Sequence, residues 1–486
     1  MSDTLSKPEG RTGLSTTTRD LLVLVAVGVA LRLPAVLSPR HLTFDDGNFG
    51  MSAIAMRDGG VPFRDVFSSQ GPLFLPLVWL ADVLGLRTLN APRLLALAAG
   101  VALIVVVYKA GLEIADRTSA RVAAALVVAS GSTLAVTGPL AADGPAMAFA
   151  AAAVYLALVY RRRPSTLRAL AMGLLLGAGI MVKALVLPAA IPVGIILLLG
   201  RRPVDWFVSV GAAVSVGLFW SLLWGWSDVW DQSVRYHLDA PGGSNPVDNL
   251  IKVFNVLITR DSLILAALAV AMVVAWRRSK LSLRSRPSGP GRWALGDDGP
   301  TEALLWAWFA AMFALLVLEH PLWRPHVSQL IAPGALLLAV YRPPWKPVAV
   351  VCALLLPLHL GYAHELLWPG DYTGDEAEVV ERIRALPDGA QAISDEAGQV
   401  WRAGRSTPPD IVDSSILRIE SDRITTESLT DEASRPEVCI VVVWAMGPER
   451  FGHLEGLGDS LAAEGYEPVL RFEDPRVVYE RTDCSP

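Results

Sequence analysis

From about residue 20 to residue 365 the chain is built of long apolar runs broken by short polar segments, and beyond them polar and apolar positions alternate at helix and strand periods. A membrane span needs about 20 apolar residues, roughly 17–25 in practice. Runs near that length fall at 20–37, 89–108, 121–141, 144–160, 167–182, 185–200, 205–226, 261–277, 302–319, 326–341 and 346–364, which predicts about eleven transmembrane helices. The apolar stretch around Lys183 is too long for one helix and divides into two spans meeting at the lysine. Leu21–Leu37 ends without a small-residue cleavage site and reads as a retained span, not a signal peptide. The last part, 366–486, predicts a small α/β domain. It has helices at 375–386 and 448–465 and strands at 391–395, 410–413, 438–444 and 468–472. No internal repeat is present.

Composition agrees with this division. Only 18% of residues are charged, where a soluble protein carries about a quarter. The net charge of −5 leaves no basic footprint for nucleic acid. Basic residues sort into alternate loops: Lys109, Arg117 and Arg121; Arg161, Arg162, Arg163 and Arg168; Arg201 and Arg202; the cluster Arg277 to Arg292; Arg342 and Lys346. By the positive-inside rule those loops, and the N-terminal tail 1–19, face the cytoplasm. An odd number of spans then places 366–486 outside, in a cell-membrane protein with many passes. Outside the cytoplasm Cys439 and Cys484 could pair, while Cys352 lies in an apolar run.

Candidate chemistry gathers on the outer side. The first outer loop, 38–88, holds Asp45 and Asp46, then Phe63-Arg64-Asp65, then Gln70-Gly71-Pro72-Leu73. Adjacent carboxylates at a membrane boundary are costly unless solvated, paired or metal-bound. A partly desolvated Asp gains a raised pKa that suits a general base; the same pair also fits the first turn of a helix. Asp143, before Pro145, is either a helix N-cap or a second acid facing the same cavity. Lys183 either snorkels or holds an anion at the surface. Glu319-His320-Pro321-Leu322-Trp323-Arg324-Pro325-His326 is a tight loop whose Arg and His suit a phosphate, or whose Trp and Arg anchor at headgroup level. The loop 227–260 adds Trp230, Asp231, Arg235, Tyr236 and His237, residues compatible with sugar stacking. Carboxylates on one loop and cations on others frame a site for a substrate whose phosphate lies at the bilayer surface.

These residues resemble the GT-C glycosyltransferases, closest to protein O-mannosyltransferases and bacterial lipid A aminoarabinose transferases. Asp45-Asp46 is similar to their Asp-Glu pair, and Gln70-Gly71-Pro72-Leu73 to their Lys-Pro-Pro-Leu-type segment. Asp143 is similar to their Asp before the fourth span, Lys183 to the lysine breaking a double span, and Arg324-Pro325-His326 to their Arg-Tyr segment before a late helix. Two positions depart from the pattern: Gln70 stands where the family has a basic residue, and the second acid is Asp, not Glu. The resemblance implies an inverting transfer of a monosaccharide from a polyprenyl-phosphate donor to an extracytoplasmic glycan, glycolipid or protein, with no nucleic acid involved. It implies Asp45 as base, with Asp46, Arg64, Asp65 and Asp143 positioning the acceptor. Lys183, His320, Arg324 and His326 would meet the donor phosphate. A divalent cation, Mg or Mn, on Asp45, Asp46 and Asp143 is left open. The main rival is a transporter or flippase of a lipid-linked or anionic substrate. Repeated halves and midplane charges would mark one, and the sequence shows neither.

Overall fold

The computed structural model describes residues 15–241, 245–284, 299–445 and 450–484. Residues 1–14 of the N-terminal tail and 285–292 of the basic cluster lie outside the described residues. Among those described, six helices are long and apolar enough to cross a membrane: Thr16–Leu37, Ala91–Ile114, Asp143–Arg162, Pro203–Leu223, Thr301–Leu318 and Trp345–Leu367. Two bent pairs raise the number to eight if each counts as one span. They are Arg117–Ala129 with Gly131–Thr137, bent by 60°, and Pro246–Arg260 with Ser262–Val274, bent by 95°. Shorter apolar helices include Thr166–Val182 and the stretch Ala184–Leu199. The chain is thus a multi-pass membrane protein with six to eight spans by length, against the eleven apolar runs of the sequence.

The two breaks meet. Asp261, buried between the halves of the second pair, accepts hydrogen bonds from Ser130 Oγ (2.5 Å), Ser132 N (3.3 Å) and Ser132 Oγ. A break strands backbone donors that lipid cannot satisfy, and here one carboxylate supplies the acceptors. Other charged groups in the bundle hydrogen-bond to neutral partners. Arg32 donates to Thr137 Oγ1 (2.7 Å) and the Gly28 carbonyl (3.0 Å), and Asp205 accepts from Tyr160 (2.7 Å) and Thr166 (2.7 Å).

The segment 227–260, read as a loop, contains the helix Pro246–Arg260. Asn245 accepts from Val247 N (2.9 Å) as its N-cap, with Pro246 at the first helical position. Beyond residue 370 four strands form a sheet of order β1-β2-β4-β3, where β1 is Gln391–Ser394, β2 Val438–Val443, β3 Tyr466–Arg471 and β4 Val477–Arg481. The β1–β2 pair is parallel and the other two pairs are antiparallel. The segment 410–413, expected as a strand, is instead 3-10 helix over Pro409–Ile411. Pro408 and Pro409 lack the N–H groups a ladder needs. Cys439 and Cys484 form a disulfide, with Cα atoms 5.3 Å apart.

This sheet and its helices pack directly on the loop 38–88. Helix Ala397–Ala403 lies against helix Phe44–Arg57 at backbone contact: a Cβ on Gly47 would stand 2.5 Å from Gly398 Cα. Trp401 is fully buried there, with the guanidinium groups of Arg93 and Arg402 at 5.0 and 4.6 Å from its ring centroid. Arg402 donates to the Pro39 carbonyl (2.8 Å) and to Asn90 Oδ1 (2.9 Å). His41 lies 2.7 Å from Tyr372 Oη and 3.2 Å from Glu396 Oε1.

Candidate active site

Helix Phe44–Arg57 starts at Thr43, whose Oγ1 accepts from Asp46 N at 3.1 Å. The first turn therefore carries Asp45 and Asp46 side by side, and a step of about 100° between neighbours sends them to different surroundings. Asp46 is fully buried. Its carboxylate accepts from Arg93 Nε (2.9 Å) and Nη2 (2.5 Å) and from the backbone N–H groups of Leu42 (3.0 Å) and Leu140 (2.9 Å). Burial pushes its pKa up, but the Arg93 charge and these hydrogen bonds outweigh it, so Asp46 stays below the ordinary carboxylate range. Every oxygen is occupied, which corrects the expectation that Asp46 positions an acceptor: it anchors the helix that presents Asp45. Arg93 was missed, although an arginine at the start of an apolar run is a signal for a buried partner.

Asp45 is half-buried, and no described group hydrogen-bonds to its carboxylate. Burial pushes its pKa up to about 6; the Lys183 charge pulls it down, Asp143 pushes it back up, His326 lowers it and Asp413 raises it. Those four groups carry the charges that act most on Asp45.

Lys183 interrupts the apolar stretch as expected. Helix Thr166–Val182 ends there, Lys183 is extended (φ −156°, ψ 118°), and a 3-10 turn, Ala184–Ala189, follows. The break is braced by the first outer loop, where Gly71 N donates to Val182 O (3.1 Å) and Leu73 N to Met181 O (2.9 Å). A Cβ on Gly71 would stand 2.3 Å from Met181 O, so this close approach needs glycine. Gln70, in the basic position of the resemblance, donates to Ser69 Oγ (3.2 Å) and does not reach Lys183.

Lys183 Nζ lies 2.7 Å from Asp143 Oδ2 and 2.9 Å from His326 Nε2. His326 Nδ1 in turn lies 2.7 Å from Glu319 Oε1, an ion-pair distance though not an aligned hydrogen bond. Asp143 is not an N-cap: it is the first residue inside Asp143–Arg162, after Ala142, and its side chain meets Lys183. Four elements thus contribute one row, Asp143–Lys183–His326–Glu319. His237 Nε2 lies 2.8 Å from the Ser69 carbonyl, and the charges of this row act on it. Burial lowers its pKa, the Ser69 carbonyl raises it, the Lys183 and His326 charges lower it and Glu319 raises it.

Other expected site residues stand apart. Arg64 and Asp65 pair with each other (2.8 Å) on the exposed surface of the first loop, which argues against a role on the acceptor. His320 Nε2 lies 3.4 Å from the Pro241 carbonyl, and Arg324 is exposed, its charge felt by Arg260. Neither is bonded to the Lys183–His326 pair. For a cation, the expected ligands Asp46 and Asp143 are engaged by Arg93 and Lys183, and among the described residues no three His, Cys, Asp or Glu side chains are grouped to hold one.

Comparison with known proteins supports the resemblance. The profile of the family described as dolichyl-phosphate-mannose-protein mannosyltransferase matches residues 69–225. No curated protein matches by sequence. Among solved structures, ArnT from Cupriavidus metallidurans in the apo state superposes with a TM-score of 0.65 at 14% identity, covering 97% of this chain and 100% of that one. The same protein bound to undecaprenyl phosphate gives 0.63 at 14% identity, with the same coverage. The oligosaccharyltransferase AglB from Archaeoglobus fulgidus, in complex with an inhibitory peptide and a dolichol-phosphate, gives 0.52 at 13% identity, covering 88% of this chain and 69% of that one. The chain therefore carries the GT-C glycosyltransferase fold.

Proposed function

We propose that this protein is a glycosyltransferase that moves one sugar from a polyprenyl-phosphate donor to a hydroxyl acceptor outside the cytoplasm, with inversion. The observation that carries the reading is Asp45, without a hydrogen-bond partner among the described residues and with a pKa pushed up to about 6, under the charges of Lys183 and His326, which lie 2.9 Å from each other. ArnT of the same fold binds undecaprenyl phosphate, which supports a lipid phosphate as the donor group.

In this mechanism Asp45 is ionised near neutral pH and basic enough to take the acceptor proton. The acceptor oxygen bonds to the anomeric carbon as the bond from that carbon to the phosphate oxygen breaks, and polyprenyl phosphate leaves. A phosphate leaving group needs charge neutralisation more than a proton. Lys183 has three N–H donors. One meets Asp143 and one His326, which leaves the third for a phosphate oxygen. Asp143 therefore orients the lysine instead of touching the acceptor. An outward-facing site fits the Cys439–Cys484 disulfide, since disulfides persist in oxidising compartments.

The test is binding of polyprenyl phosphate to the purified chain in nanodiscs. The reading expects saturable binding that Lys183→Gln weakens by about tenfold or more, the worth of one charged hydrogen bond. Binding unchanged by Lys183→Gln, or none, would remove the lysine from the donor site.

A further inference from the structure

The Lys183 ammonium serves a phosphate only if its third N–H points where the other two do not, and the two groups that hold it differ in kind. Asp143 is a carboxylate, an acceptor whenever it is ionised. It is fully buried and steadied from behind by Gln329, whose Nε2 lies 3.4 Å from both its Oδ1 and its main-chain carbonyl. His326 is an imidazole, which when neutral accepts through Nε2 only if its proton sits on Nδ1. An ammonium has donors and no lone pair. The 2.9 Å contact between Lys183 Nζ and His326 Nε2 therefore requires that tautomer.

Glu319 stands where that proton has to point. Its Oε1 is 2.7 Å from His326 Nδ1, closer than two lone pairs tolerate, so a proton lies between them. A proton on the carboxyl would leave the imidazole N–H on Nε2, against the ammonium, so the proton belongs to Nδ1. That atom is buried and has no other acceptor among the described residues, and a buried N–H without one is costly. The fold holds both ends of the contact. Helix Pro246–Arg260 fixes the Glu319 end: Asn249 Nδ2 donates to the carbonyls of Glu319 (2.7 Å) and Val317 (3.1 Å), and Lys252 Nζ to that of Leu322 (2.9 Å). The 3-10 turn Arg324–Leu330 fixes the other, with His326 N donating to the Trp323 carbonyl at 3.1 Å.

Resting on the reading of Lys183 as the group that meets the donor phosphate, we propose that Glu319 is a positioning residue. It fixes the His326 proton on Nδ1, so that Nε2 presents a lone pair to Lys183 and the ammonium keeps one N–H aimed at a phosphate oxygen. Without Glu319 the imidazole is free to carry its proton on Nε2. That N–H would face the ammonium, His326 would turn from acceptor to obstacle, and the third N–H of Lys183 would lose its direction. Glu319 touches neither donor nor acceptor and acts only through His326 and Lys183.

Two measurements on the full chain in nanodiscs test this. Nitrogen NMR of protein labelled at its histidines, with His326→Gln to assign the signal, reads which ring nitrogen carries the proton. Wild type is expected to carry it on Nδ1, and Glu319→Ala to shift it to Nε2. The second is binding of polyprenyl phosphate. Glu319→Ala should weaken it by about 3- to 10-fold, the worth of one hydrogen bond, and Glu319→Asp should recover part of the loss. Added to Lys183→Gln, Glu319→Ala should weaken binding no further, whereas a residue that merely stabilised the fold would add its cost in either background. A wild-type His326 protonated on Nε2 would overturn the role of Glu319 whatever the variants do. So would binding unchanged by Glu319→Ala, or additive losses in the double variant, and each leaves the donor reading standing. Wild type that binds no polyprenyl phosphate would overturn that reading and this inference together.

Discussion

Replacing Asp46 by Ala is expected to damage folding, although its neighbour Asp45 is the residue assigned to chemistry. Asp46 and Arg93 are both fully buried, and four hydrogen bonds converge on the one carboxylate. In Asp46→Ala the Arg93 guanidinium keeps only main-chain acceptors, the carbonyls of Val36 (3.5 Å), Ser38 (2.9 Å) and Arg40 (2.7 Å). Its charge is left without a counter-ion, and the N–H groups of Leu42 and Leu140 lose their partner. Removing one member of a buried pair costs about 3–5 kcal/mol, a large share of the roughly 5–15 kcal/mol typical of a domain. The pH dependence has a definite sign. Asp46 is held below the ordinary carboxylate range, so its stabilisation is full above that range and is lost as pH falls through the depressed value. Thermal unfolding in detergent, followed by tryptophan fluorescence, measures both effects. Asp46→Ala should lower the midpoint by several degrees at pH 7 and lose part of that deficit in acid. An Asp46→Ala chain as stable as wild type at pH 7 would refute the assignment of the pair as the anchor of helix Phe44–Arg57.

Three further outcomes follow from the same geometry. Activity should rise with pH through about 6 as Asp45 ionises. For stability the sign is opposite to Asp46: a raised folded pKa makes the native state bind the proton more tightly, so rising pH costs stability up to about 6, and Asp45→Asn should not unfold the protein at neutral pH. A kinetic profile flat between about pH 5 and 8 would count against Asp45 as the base. Lys183→Met should destabilise by leaving Asp143, now 2.7 Å from the ammonium, buried and unpaired. Asp143→Asn added to it should recover folding but not donor binding, measured by melting and lipid binding on the double variant. Gly47→Val should force helix Ala397–Ala403 off helix Phe44–Arg57, because its Cβ would overlap Gly398; faster proteolysis within 370–484 checks this, and unchanged protection would contradict the contact.

The break at Lys183 was legible because length alone forbids a single helix, and the structure ends Thr166–Val182 at that residue. The acids Asp45, Asp46 and Asp143 drew attention because a carboxylate beside an apolar run demands a reason. What adjacency could not tell was which of the neighbours Asp45 and Asp46 is paired. That depends on Arg93, 47 residues away, and on the turn of a helix whose start is set by Thr43. The helix Pro246–Arg260 carried its signals, Asn245 and Pro246, but its polar, aromatic approach read as loop. Trp401 was out of reach for another reason. Its surroundings exist only once the C-terminal sheet is packed on the loop 38–88, and no local pattern encodes that docking. Arg64 shows the converse: a charge prominent in a motif-like segment, paired with its own neighbour at the surface.

The measurement that bears most directly on the central claim is transfer of radiolabelled sugar from a polyprenyl-phosphate donor by membranes containing wild-type or Asp45→Asn protein, with folding of both checked by melting. The account predicts transfer by wild type and its loss, by at least about 100-fold, in an Asp45→Asn chain that melts normally. Equal transfer by the two proteins would contradict it.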